Sequence, residues 1–161
     1  MDGSRHSFMD IPVDPLLQNM VEKYPRLFHG STPSAHSDVQ PGWMSLVDDL
    51  CFRIDGMLTD EQARLFEVRQ IKDKLGTLRF YVSFGSAFAP SQTEADSAGR
   101  PEMAYEVVGD CNEEMRGNIC AVIEEAISRS GDICSMCGQP GQLCHLSGLM
   151  SVRCDVHSTA P

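Results

Sequence analysis

Residues 133–157 read ICSMCGQPGQLCHLSGLMSVRCDVH, and this stretch constrains the fold more than any other. Cys134 and Cys137 stand two residues apart, so both thiolates can reach one ion if the chain turns tightly between them. Gly138 relieves that turn and lets backbone N–H groups approach the sulfurs. Sixteen residues further on, Cys154 and His157 repeat the spacing. Together they make a Cys₃His set suited to tetrahedral Zn²⁺. The residues between the pairs are rich in turn formers and long enough for a hairpin that closes the site. Two other readings stay open. A Cys-x-x-Cys pair also serves as a dithiol redox site, although no thioredoxin-like strand–helix–strand pattern surrounds this one. Alternatively, Cys144 or His145 replaces one of the four ligands. Four good ligands fill a coordination shell, which points to a structural rather than a catalytic zinc ion.

The other 132 positions before this stretch lack a catalytic signature. There is no Gly-x-Ser-x-Gly, no phosphate-binding glycine loop and no His-Glu-x-x-His, and His6, His29 and His36 fall in loop-like segments. The expectation is that the protein is not an enzyme. Its 161 residues suit one ordinary domain, or a domain with a small appendage. No apolar run is long enough to span a membrane, and the N-terminus lacks the pattern of a secretory signal, so a cytoplasmic location is expected. The seven cysteines are an odd number and fit a reducing compartment better than a disulfide framework. Cys51, Cys111 and Cys120 lie singly in amphipathic stretches and read as small buried hydrophobes.

Helical and strand periods order the rest. Asp14 and Pro15 open a helix whose apolar face is Leu16, Leu17, Met20, Val21 and Tyr24, with Pro25 ending it. A second helix carries Trp43, Leu46, Val47, Leu50, Cys51 and Ile54 on one stripe, with Asp55 and Gly56 as its stop. Thr59 and Gln62 spell a capping box for a short helix. EVRQIK and LRFYVSF then read as a β-hairpin with Gly76 in the turn. Residues 85–104 have the composition of a mobile loop, and YEVV after them reads as a short strand returning to the sheet. The strongest helix runs to Gly131, with an acidic capping box at Asp110 and Glu113 and a buried face of Met115, Ile119, Val122, Ile123, Ala126 and Ile127. The fold class is α+β: helices on a small antiparallel hairpin or sheet, followed by a zinc-ribbon-like Cys₃His knuckle. The division is 1–131 for the α+β body and 132–161 for a metal module packed on it, capping the long helix.

Charge is distributed unevenly over a net −10. Between positions 94 and 125 nine acids (Glu94, Asp96, Glu102, Glu106, Asp110, Glu113, Glu114, Glu124, Glu125) face only Arg100 and Arg116. From Arg64 to Arg79 the local sign reverses. A dipolar surface of this kind suits a protein partner with a basic face, whereas phosphates would repel the chain as a whole.

The order GWMSLVDDLCFRID, QIKDKLGTLRFY, ICSMCGQPG and RCDVH resembles a family of small, uncharacterised proteins of bacteria and their phages. The resemblance covers most of 41–84 and 117–157. This chain departs from the family in its 85–104 insertion, and in having SGLMSVRC, with Leu149, where a Gly-Trp commonly follows the first cysteine pair. The family brings no activity. It implies a binding or inhibitory protein, of the toxin-immunity or anti-defence kind, that occludes a partner's surface. The candidate contact residues are Lys72, Lys74, Arg79 and Tyr81 on the hairpin, and Glu113, Glu114, Glu124 and Glu125 on the long helix. The alternative is a nucleic-acid-binding zinc ribbon, which the single cation Arg153 between Cys134 and Pro161 makes unpromising. A metal or thiol redox enzyme is the third reading.

Overall fold

The computed structural model describes residues 14–30, 33, 37–85, 105–109 (main chain only) and 111–159. The architecture is α+β, as the sequence periods imply. Helix α1 (Pro15–Lys23) starts where Asp14 accepts the Leu16 N–H and Pro15 takes the first helical position. It ends at Tyr24. Pro25 does not simply stop the chain; it begins a second short helix, α2 (Pro25–Phe28), that buries Leu27 and Phe28.

A single 3₁₀ turn, Pro41–Trp43, leads into α3 (Met44–Met57). Its stripe of Leu46, Val47, Leu50, Cys51 and Ile54 is buried, and Trp43 is buried with it. Asp55 and Gly56 do not stop this helix, which continues to Met57. The break comes where the capping box of α4 (Asp60–Leu65) needs Thr59 extended.

The hairpin follows directly: β1 (Phe66–Lys74) and β2 (Thr77–Phe84) pair antiparallel. The strands reach further than the sequence suggests, leaving only Leu75 and Gly76 in the turn, at φ 56° and 75°. Two consecutive left-handed residues suit the twist of the flanking strands, which is why a leucine is tolerated there. The third strand, β3 (Tyr105–Gly109), joins β2 in parallel, so the sheet is mixed, in the order β1-β2-β3. A parallel partner needs a crossover of about a dozen residues or more, and the long 85–104 connection supplies the length. Positions 86–104, where a mobile loop is expected, lie outside the described residues.

Helix α5 (Glu113–Ser130) is capped by Asn112, whose side chain accepts the Met115 N–H at 2.7 Å. This corrects the expected box at Asp110, a residue outside those described. Gly131 follows in a right-handed conformation, because the chain turns at once into the cysteine-rich segment. Ile119, Val122, Ile123 and Ala126 pack with α3 and with the Leu78–Phe80–Val82–Phe84 face of β2 into one core. Arg53–Glu125 at 2.9 Å and Arg129–Asp49 at 3.2 Å bridge α3 and α5 at the surface. A second hairpin, β4 (Gln142–Leu146) and β5 (Leu149–Arg153), and a final turn of helix, α6 (Asp155–Ser158), complete the chain. Val152 and Ile133 join the same core, so the C-terminal segment packs on the body through apolar contact. Among the described residues no helix is long and apolar enough to cross a membrane.

Candidate metal centre

Three local structures bring the four candidate ligands together. The first is the knuckle after α5. Cys134 donates its N–H to the Gln139 carbonyl (2.7 Å), and Gly138 donates to Cys134 (2.9 Å), closing a tight loop around Ser135–Cys137. Gly138 sits at φ 78°, which a side chain would strain. The second is β5, which delivers Cys154 at its end. The third is α6, where the Cys154 carbonyl accepts the His157 N–H at 3.0 Å and turns the imidazole back toward its neighbours.

The four ligand atoms all lie within 4.8 Å of one another, so Cys134, Cys137, Cys154 and His157 could hold a metal ion. Cys137 and Cys154 sulfurs are 3.7 Å apart, and His157 Nδ1 is 3.5 Å from Cys134 Sγ and 3.2 Å from Cys154 Sγ. Cys134 is fully buried and Cys137 is exposed. Burial pushes the Cys134 thiol up, but N–H groups of Cys154, Met136 and Cys137, with the Cys137 side chain, outweigh it and bring the thiol down to about 6. Cys137 moves the other way: the Gln139 N–H favours its thiolate, while burial and the adjoining Cys134 and Cys154 sulfurs together raise it further.

The contacts that hold the knuckle in place are less obvious in the sequence. Gly42 donates its N–H to the Ser135 carbonyl at 2.7 Å, and a Cβ at Gly42 would lie 2.0 Å from the Cys134 oxygen. Nothing but glycine fits there. Trp43 Nε1–H donates to the Ile133 carbonyl at 3.0 Å, one residue before the first ligand. Ser135, wholly buried, bonds the Val152 carbonyl and the Ser151 hydroxyl, both at 3.2 Å, and so ties the knuckle to β5. Gly42 and Trp43 are separated from the knuckle by some ninety positions, and only their pairing in GW hints at the contact.

The other candidates are placed apart. Cys144 is directed at the Ser151 carbonyl (3.2 Å) and His145 is exposed on β4, so neither belongs to the cluster. Cys51 is buried, whereas Cys111 and Cys120 are only partly so. Tyr81 is not exposed as a contact residue should be: it retains 8% of its surface and lies under the Lys72 ammonium, 5.5 Å from the ring centre. Cross-strand pairing of Lys72 with Arg79 and of Gln70 with Tyr81, and strand alternation, put Lys72, Lys74, Arg79 and Tyr81 on the sheet face away from α5. Glu113, Glu114, Glu124 and Glu125 are exposed on α5, with Glu125 paired to Arg53. The basic and acidic sets therefore occupy different sides and form no single site.

No family model, curated protein or solved structure matches this chain.

Proposed function

We propose that the Cys₃His cluster binds a structural zinc ion, and that the zinc-pinned domain acts by binding a protein rather than by catalysis. The observation that carries the metal assignment is the set of donor separations. An ion about 2.3 Å from each sulfur and 2.0–2.1 Å from an imidazole nitrogen, in tetrahedral array, spaces sulfurs roughly 3.7–3.8 Å apart and sulfur from nitrogen roughly 3.5–3.6 Å. The separations of 3.7 and 3.5 Å fit that array, and the 3.2 Å pair needs only a small adjustment. Three thiolates and an imidazole suit Zn²⁺ over harder cations such as Mg²⁺ or Ca²⁺. With four protein ligands no position is left for a substrate water, which supports a structural role.

The binding role rests on the acidic flank of α5 and on the resemblance to a family of small, uncharacterised proteins of bacteria and phages, which implies a binding or inhibitory protein. Glu113 and Glu114 open the helix and Glu124 follows nearly three turns later, so a partner presenting Lys or Arg along one line would be steered to it. A toxin or a host defence protein with a basic face is the class of target this reading expects. The test is a nuclease-treated capture from native-host lysate with metal-loaded protein. One stoichiometric protein, released by salt and lost on the double change Glu113→Lys and Glu114→Lys, is the expected result. Retention of nucleic acid alone, or a partner indifferent to that charge reversal, would contradict it.

A further inference from the structure

We propose that the outer edge of β4 is a self-pairing surface through which two copies of this chain associate. The edge is open. The β4–β5 hairpin turns through Ser147 and Gly148, both at positive φ (51° and 82°), so Leu146 and Leu149 form the hydrogen-bonded closing pair. Alternation then assigns the Cys144–Ser151 and Gln142–Arg153 pairs to the ladder, and directs the N–H and C=O groups of Leu143 and His145 away from β5. Among the described residues no main-chain group bonds to them from that side. The edge is also accessible: His145 is exposed and Leu143 keeps 51% of its surface.

Charge decides the occupant. The whole chain carries −10, yet residues 133–152 contain no Asp, Glu, Lys or Arg over twenty consecutive positions. Exposed strand edges are ordinarily blunted by lysine, proline or an inward charge. QLCHL has none of these. A second copy meeting the acidic α5 surface would be repelled, whereas QLCHL itself carries no charge and ends at a turn where Leu149 keeps 73% of its surface. The open groups are self-complementary as well. In an antiparallel pair centred on Cys144, Leu143 of each copy faces His145 of the other, and the two outward residues exchange four N–H···O=C bonds across a two-fold axis. The result is one continuous four-stranded ribbon, β5-β4-β4-β5, with both metal centres outside the contact. A five-residue edge buries less than the ~1,200 Å² of standard stable interfaces, so the association is weak and concentration-dependent.

Sedimentation of the metal-loaded full chain in reducing buffer, from about 5 to 500 µM, tests this across the range expected of a small interface. The mass is expected to climb from monomer toward dimer. Leu143→Lys places a charge on the edge, and His145→Pro removes one outward donor that the β4–β5 ladder does not use. Each should lower the association constant about tenfold or more, with metal content and melting temperature as controls on folding. Amide exchange on the unmodified chain gives an independent readout: the Leu143 and His145 N–H groups should exchange quickly when dilute and gain protection as concentration rises. A monomer at every concentration overturns the proposal. So does a dimer that leaves these two amides unprotected, because it would then form through another surface.

Discussion

Gly42 is a single position on which the Cys₃His cluster depends without belonging to it. Its Cα lies against the knuckle backbone, and a methyl group there would meet the Cys134 carbonyl at 2.0 Å. Backbone cannot move aside as a flexible side chain can, so Gly42→Ala is expected to cost ~2–3 kcal/mol of stability and to lower metal retention. Metal content after dialysis, read beside a thermal melt, checks both effects. Asp48 shows the opposite kind of dependence, on charge. Lys23 holds its carboxyl below the usual carboxylate range; burial opposes this, and the Tyr24 hydroxyl adds to the lowering. Because the folded pKa is depressed, the contribution is complete above the ordinary carboxylate value and is lost as pH falls through the lower folded one. Asp48 is about a third exposed, so screening keeps the effect modest. Asp48→Asn should therefore flatten the acid limb of a stability–pH profile below about pH 4 and leave the neutral region within ~1 kcal/mol.

At the scale of elements, caps and periods were readable and partners were not. The buried faces of α1, α3 and α5 follow from 3.6-residue spacing, and each named stripe residue is buried or packed on the core apart from Leu16, which stays partly exposed. The cap of α5 is Asn112 and not Asp110: Asp110, Asn112 and Glu113 all offer side-chain oxygens within four positions, and local sequence does not say which one turns the chain. Asn112→Ala is expected to cost ~1 kcal/mol by chemical denaturation, whereas an Asp110 substitution should not report on the cap. The existence of β3 was legible in YEVV, but its parallel pairing was not, since alternation fixes a strand's faces and not its direction beside a neighbour. The same holds for the metal site. Spacing singles out the Cys134–Cys137 and Cys154–His157 pairs but leaves Cys144 and His145 open as replacements, and the seat of the cluster on Gly42 and Trp43 is a contact between distant segments. Tyr81 shares the sheet face of Lys72 and Arg79 as alternation requires, but it is covered there, and cover by neighbouring side chains is not legible in local sequence.

For the molecule as a whole, the cysteine-rich segment is not an independent appendage. Ile133 and Val152 share the core of α3, α5 and β2, and Trp43 is bonded to the residue preceding the first ligand. Loss of the metal should consequently be felt throughout the domain. Chelation is expected to red-shift Trp43 fluorescence and to lower the melting temperature of the entire chain in a single transition, with no separate melting of a C-terminal unit. The central claim is that Cys134, Cys137, Cys154 and His157 hold one zinc ion that completes this fold. Elemental analysis by mass spectrometry, on protein purified without added metal, tests it most directly. The account predicts one zinc per chain, lost in both Cys134→Ser and Cys154→Ser and retained in Cys144→Ser. A folded chain that carries no zinc, or one whose zinc survives Cys154→Ser, would contradict it.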